Sequence, residues 1–414
     1  MLGVRCLVLG VWKRATEEGK SEIGNRKSEI TIQGYPRANG TVGVRNHVLV
    51  LPTVGCSCHV AAKIAEGLPE AVAISHQHGC AQIGDDAAAT FRTLTGTGAN
   101  PNVGGVLVVA LGCEQWAAEA FADEVRKAGK PAEIVGIQKE GGTSKAIARG
   151  RELLGGIADQ VLRQERQACP FDRLVIAMEC GGSDSFSGLT GNPLVGEIAD
   201  RAVAEGATVI VSETTEFIGA EHLLATRGAF PEIGEDARKM VLDCEKVCRF
   251  YGADLTGSNP SPGNIEGGIT TIEEKSLGCL HKGGHSPIQE VLDYAVAPTS
   301  RGLVLMDTPG NDIESVAGMV AGGATLILFT TGRGTPLGCA VAPVIKIATN
   351  TPLAESMAEN MDFNAGLIAD GKETMAEAAD RLWALMLEVA NGRLTCSEAL
   401  GHREFGIRRT APTL

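Results

Sequence analysis

The 414-residue chain is longer than one ordinary core accommodates, which points to two domains. Its 37 basic and 50 acidic residues give a formal charge of −13, arguing against nucleic acid as a partner, and no apolar run approaches the ~20 residues that span a bilayer. Fifty-three glycines beside only 4% aromatic residues fit many tight strand-to-helix turns rather than a base-stacking platform.

Residues 1–32 lack a sustained period and are expected to be an extension; the opening MLGVRCLVLGVWK has neither a basic leader nor a small-residue cleavage site. From Gly34 the pattern becomes regular. Apolar runs at 47–53, 70–75, 105–111 and 133–138 alternate with amphipathic stretches near 57–67, 84–95, 115–129 and 143–166. Strand alternating with helix predicts βαβ units and a mainly parallel sheet. The charged, proline-containing RQERQACPFD (164–173) breaks that pattern and predicts a domain boundary, with a first domain over 33–166 and a second over 172–411.

The second alternating series predicts strands at 173–178, 207–212, 302–307, 325–330 and 343–348. Helices are expected near 192–205, 216–226, 233–251, 313–321, 353–360 and 373–391. Between them TGSNPSPGNIEGG (256–268) reads as a long functional loop. The fold class expected is therefore α/β, with two doubly wound, mainly parallel-sheet domains. Their site should lie at strand C-terminal ends near the domain interface, where open parallel sheets gather ligands.

Five cysteines sit at or just after apolar strand-like runs: Cys56, Cys80, Cys113, Cys180 and Cys339. Thiols delivered to one crevice suit metal chemistry, and a helix N-terminus favours the thiolate. Position makes the strongest case for Cys56, Cys80 and Cys180. Cys6, Cys169, Cys244, Cys248, Cys279 and Cys396 are read as packing residues, because free cysteine is commonly buried. Twelve cysteines without a small secreted scaffold predict reduced thiols and a cytoplasmic protein.

His76, four residues before Cys80, can be an acid/base or a histidine satisfied by a backbone carbonyl. ECGGSDSFSG (179–188) follows a strand directly; Ser183 and Asp184 can cap the next helix, and the free N–H groups there suit an anion. In FTTGRGTP (329–336) Arg333 stands where it can grip a carboxylate bidentately. Lys346 falls within a strand, a costly place for an unpaired lysine, and Asn259, Lys275 and Glu213 occupy suggestive polar contexts. No HExxH, no GxxxxGK[ST] and no GxSxG element occurs, and no GxGxxG follows the first strand.

Long stretches resemble the altronate/galactarate dehydratase family, which includes the large subunit of sulfolactate sulfo-lyase. They are GYPRANGTVGVRN (34–46), NPNVGGVLVVALGCE (100–114), ECGGSDSFSG with GNP, SET (212–214), NPSPGN with GG, FTTGRGTP, IKIATNTPLA (345–354) and MDFNAG (361–366). The resemblance implies metal-assisted β-elimination: a sugar acid loses water from C2 and C3, and the enol becomes a 2-keto-3-deoxy acid. It implies iron, as a single ion or a cluster, with Cys56, Cys80 and Cys180 as ligands. His76 is then the expected acid/base, with Asp184 and Glu213 as rivals. Arg45, Arg333 and Lys346 would hold the substrate carboxylate, with Ser183 and Asn259 beside them. Single-chain relatives carry a small β-rich domain ahead of the matched region, which implies a separate small subunit here, and an oligomer. Release of sulfite from sulfolactate is the nearest alternative reaction, and a non-catalytic sugar-acid sensor a more distant one.

Overall fold

The computed structural model describes residues 28–253 and 259–414. Positions 1–27 of the expected extension and 256–258 of the expected loop lie outside the described residues. The first half of the chain contributes β1 (Thr31–Pro36), β2 (Val42–Gly43), β3 (His47–Pro52), β4 (Ala71–Ala73), β5 (Val103–Ala110), β6 (Ala132–Gly136) and β7 (Gln167–Pro170). A parallel four-stranded sheet has the order β4-β3-β5-β6. Its inner strands read HVLVLP and VGGVLVVA, nearly continuous apolar runs, because helices cover both faces. Val48, Val50, Leu107 and Val109 pack on helices Cys58–Ala65 and Thr143–Val161. On the opposite face Leu49, Leu51, Val106 and Val108 meet helices Asp85–Ala99 and Ala118–Lys127.

The stretch between the two expected domains carries β7. β1 and β7 pair antiparallel, with β2 on the far side of β1. Such short edge strands carry exposed polar residues and so leave little apolar alternation to detect.

The second domain supplies β8 (Val175–Cys180), β9 (Thr208–Val211), β10 (Ile288–Leu292), β11 (Gly302–Met306), β12 (Leu326–Thr331), β13 (Val344–Ala348) and β14 (Phe363–Asn364). They form one parallel sheet in the order β10-β11-β9-β8-β12-β13-β14. From β8 the sheet runs through β9 and β11 to β10, and from β12 through β13 to β14, so the switch point lies between β8 and β12. Ile176, Met178, Leu328 and Ile345 pack on helices Asn192–Ala204 and Met375–Ala390. Ala177, Ile210, Ile327 and Phe329 face helix Asp312–Ala321 and share a core with Leu49, Val106 and Phe121 of the first domain.

The two sheets are joined by helices in close contact: a Cβ at Gly96 would lie 2.4 Å from the Ala321 carbonyl oxygen. Buried Asn100 and Asn102 complete the joint. Asn100 donates to the Val320 and Ala324 carbonyls, and Asn102 to those of Thr325 and Val341. No helix among the described residues is long and apolar enough to cross a membrane.

Candidate active site

At the carboxyl edge of the second sheet, ionisable side chains converge from β8, the turn after β9 and helix Ile272–Leu280 with the turn that follows it. Cys180 ends β8, and its N–H donates to Glu213 Oε2 at 2.9 Å. Glu213 itself has φ of 68°, the left-handed region that non-glycine residues rarely occupy. A conformation costing ~1–3 kcal/mol persists where its surroundings over-determine it, commonly at functional sites. Here it turns the carboxylate onto Lys282, whose Nζ pairs with Glu213 Oε2 and lies 3.2 Å from Cys180 Sγ.

Lys282 is completely buried. It reaches this position because the His281–Gly283 turn seats tightly against helix Asn192–Ala204 at Gly196, where a Cβ would lie 2.1 Å from the His281 carbonyl. Burial works against its charge, but Cys180, Glu213, Cys279 and Glu179 outweigh that and hold the ammonium well above the usual lysine range.

Two groups of donors lie on either side of this pair. Cys180, Cys279 and Glu216 offer ligand atoms within 4.8 Å of one another, as do Glu179, Glu213 and Asp312. In the first group the sulfurs are 3.6 Å apart, and Cys279 donates to Glu216 Oε2 at 3.1 Å. The Cys180 contact, then burial, push the Cys279 thiol well above its ordinary value. Glu216 also pairs with Lys275 at 2.7 Å, and Lys275 donates to Asn259 Oδ1 at 3.0 Å.

In the second group Glu179 accepts from Ser212 and Ser315 on Oε2, while its buried Oε1 has no partner. Burial, then Glu213 and Asp312, raise the Glu179 carboxyl well above the carboxylate range. Burial, followed by Glu213 and Glu216, moves Asp312 up to about 7. Lys282 answers Glu213 and Lys275 answers Glu216. That leaves Glu179 and Asp312 as two acidic groups with no lysine or arginine bridged to them among the described residues.

Above the cluster a cleft of about 310 Å³ is lined by Ser183, Asp184, Asn192, Lys275, Gly278 and His281, among others. It is a small polar cavity, at the lower end of the range for small-molecule sites.

The residues singled out from sequence divide sharply. Cys180 and Glu213 sit in the cluster, Ser183 and Asp184 line the cleft, and Asn259 reaches it through Lys275. Asp184 is committed to the loop: its two carboxylate oxygens accept from Ser187, Thr349 and Asn350. Arg333 lies beside Gly182 and pairs with Glu266 at the surface.

Lys346 is buried, with Nζ donating to the Thr335 carbonyl and resting 5.2 Å from the Phe329 ring centroid. Burial lowers its pKa to about 8. Arg45 is buried against Glu398 at 2.7 Å and donates to the carbonyls of Val44, Val389 and Arg393. Its guanidinium is occupied in tying the first domain to the C-terminal segment rather than turned to a ligand.

His76 has both ring nitrogens engaged by backbone, at Pro52 O (2.9 Å) and His78 N (3.2 Å). Burial lowers its pKa to about 4. Cys56, Cys80 and Cys180 are not brought into one set of closely spaced donors: the first two are exposed and the third is buried.

Cys279, expected to be a packing residue, instead contacts Cys180 and Glu216 in the cluster, and the sequence assigns no role to Lys282, Glu179, Glu216 and Asp312. Glu179 was the readable one, since it is a carboxylate inside the apolar strand LVIAMEC.

The family model described as D-galactarate/Altronate dehydratase, C-terminal, matches residues 171–413. That of D-galactarate dehydratase/Altronate hydrolase, second domain, matches residues 34–161. The chain belongs to the D-galactarate/altronate dehydratase family. Within this family it is 37% identical to altronate dehydratase of Bacillus subtilis (strain 168), over 93% of this chain and 78% of that protein. It is 38% identical to galactarate dehydratase (L-threo-forming) of Escherichia coli (strain K12), over 92% and 77%. It is also 38% identical to (2R)-sulfolactate sulfo-lyase subunit beta of Chromohalobacter salexigens, over 92% and 97%. The strand-end cluster thus belongs to a chain of a lyase family, and it falls wholly within the region matched by the C-terminal dehydratase domain.

Proposed function

We propose that this chain removes water from a sugar acid of the altronate or galactarate type, giving a 2-keto-3-deoxy acid. The observation that carries the reading is the buried Lys282–Glu213 pair, set beside the partnerless Glu179 oxygen at the sheet's switch point in a chain of a dehydratase family. The reaction needs a proton taken from the carbon next to a carboxylate and another delivered to a departing hydroxyl. Lys275, steadied by Asn259 and Glu216, is placed to receive the substrate carboxylate in the cleft, with Ser183 beside it. Glu213 and the Lys282 ammonium, paired at Oε2 and Nζ, form the acid/base element beneath. Asp184 keeps the 183–188 loop in shape.

Divalent metal, iron by family resemblance, forms part of the proposal. The residues fit such an ion: Glu179, Glu213 and Asp312 would hold it, and its charge would answer the two acidic groups left without a cation. When bound it supplies a Lewis acid for the charge that develops as the α-proton leaves. Oxygen donors suit a hard or intermediate divalent ion, whereas Cys180, Cys279 and Glu216 are already satisfied by one another and by lysine.

Loss of sulfite from sulfolactate is the second reading, favoured by the 97% coverage of a protein named as a subunit. The same observation supports a separate small subunit and an oligomeric assembly. A reducing, cytoplasmic setting is part of the proposal, on the twelve cysteines of a chain that is not a small secreted scaffold.

The test is anaerobic incubation of the purified protein with ferrous iron and, separately, altronate, galactarate and sulfolactate. Formation of a 2-keto-3-deoxy acid is expected. Sulfite release alone selects the second reading, and turnover of none of the three, with or without a co-purified small subunit, overturns both.

A further inference from the structure

The two thiols of the cluster do more than pack. Cys180 and Cys279 come from different elements, the end of β8 and helix Ile272–Leu280, yet their sulfurs touch at 3.6 Å. Each has a different auxiliary group. The Lys282 ammonium lies 3.2 Å from Cys180 Sγ, while Cys279 Sγ points its hydrogen at Glu216 Oε2, 3.1 Å away. Neither arrangement is needed for proton transfer at a sugar acid, and both sulfurs are at most 4% exposed. Cys279 follows Gly278 on its helix, and Gly278 and Lys275 line the cleft, so the two thiols lie behind the cleft wall.

From this geometry we infer that Cys180 and Cys279 are an oxidisable dithiol that hydroperoxide converts to an intramolecular disulfide. Cys180 is the attacking sulfur, the one that has the Lys282 Nζ at 3.2 Å on one side and the Cys279 sulfur at 3.6 Å on the other. Its sulfur bonds to one peroxide oxygen as the O–O bond breaks, giving a sulfenic acid and water once the departing hydroxide takes up the thiol's proton. Cys279 then attacks that sulfur, its proton passes by way of Glu216 to the sulfenic oxygen, and that oxygen leaves as a second water. Two thiols lose two electrons and two protons, one peroxide is reduced, and the S–S bond forms.

Closing from contact to the ~2.05 Å of a disulfide asks for a shift of about 1.5 Å shared by two side chains. The bond removes the sulfur partner of Lys282 and the thiol donor of Glu216, so it reports on the same cluster that the proposed reaction uses. It does not depend on which substrate that cluster takes.

The experiment treats the intact protein, purified without oxygen, with graded hydrogen peroxide, blocks remaining thiols and maps the peptides by mass. The expected result is a linked Cys180–Cys279 peptide, two hydrogens lighter than its parts, which disappears on addition of dithiothreitol. In Cys279→Ser the linked peptide is lost and dimedone instead traps a sulfenic acid on Cys180. The inference is overturned if peroxide that oxidises the exposed Cys56, Cys80 and Cys113 leaves Cys180 and Cys279 as free thiols. It is equally overturned if Cys180 links to another cysteine, or if the Cys279→Ser protein shows no trapped Cys180. Because the readout is a covalent link, failure here is separate from failure of the proposed dehydration.

Discussion

Glu213 receives the Lys282 ammonium in the protein interior from a left-handed backbone, while the same carboxylate caps the N–H of Cys180. Strain, burial and charge meet at one residue. A buried ion pair loses much when one partner is removed, because the other is left desolvated and unanswered. Lys282→Met is therefore expected to cost about 3–5 kcal/mol of stability and to lower turnover by about 10²–10⁴. Adding Glu213→Gln should return most of the stability and none of the activity. Denaturant unfolding and steady-state rates on the four proteins of this cycle check the pair; a stable, fully active Lys282→Met protein refutes the assignment.

Arg45 separates a structural from a ligand-binding role. The family resemblance implies a grip on the substrate carboxylate, but its donors face Glu398 and main-chain carbonyls. Arg45→Met should lower stability by about 2–4 kcal/mol, leaving Glu398 and three carbonyls short of partners. Below its lowered melting temperature the variant should keep the KM of the parent. A raised KM with unchanged stability would return Arg45 to the substrate site.

What was legible in the sequence followed from period and burial. The inner strands of both sheets are covered on both faces, so HVLVLP, GLVLM and LILFTT stand out as apolar runs. β1, β7 and β10 are edge strands or belong to a small edge sheet: β7 and β10 show little alternation, and β1 alternates only over Thr31–Gly34, with Ile32 as its one large buried side chain. They escaped detection for that reason.

The Pro262–Glu266 helix lay hidden in a Gly/Pro-rich segment, where the Ser261–Asn264 capping box rather than any apolar stripe defines it. The site was half legible. Cys180 and Glu213 announce themselves at strand ends, whereas Cys279 and Lys282 lie in a helix and turn whose approach to the sheet depends on contacts such as Gly196 against His281. Spacing along the chain carries no trace of such a contact.

His76 gives a pH-dependent test. Its folded pKa of about 4 lies below the ordinary histidine value of 6.5, so between these the unfolded chain binds the extra proton. Its contribution is full above about pH 6.5 and is lost as pH falls toward 4, amounting to about 3 kcal/mol at most. His47, also lowered to about 4, acts in the same direction. Asp312, raised to about 7, acts oppositely, favouring the fold at low pH and costing stability as pH rises from about 4 to 7. His76→Asn should flatten the loss of stability between pH 6.5 and 4 while leaving the activity profile near neutrality unmoved. An activity limb that vanishes in this variant would make His76 the acid/base after all.

The metal proposal separates by donor set. Glu179 is fully buried with one carboxylate oxygen lacking a partner, and it stands with Glu213 and Asp312, whereas Cys56 and Cys80 are exposed and belong to neither close-spaced donor group. Oxygen ligands at this position suit a divalent ion whose loss would leave like charges facing one another. Glu179→Gln keeps the shape and both serine contacts but removes the charge, so bound metal per chain should fall at least about tenfold at equal free ion, a loss of about 1.4 kcal/mol or more. The double variant Cys56→Ser, Cys80→Ser should bind the ion as the parent does. Elemental analysis of anaerobically loaded, desalted protein reads both, with no need for turnover. Retained metal in Glu179→Gln together with its loss in the double cysteine variant would move the ion to the first domain's strand ends.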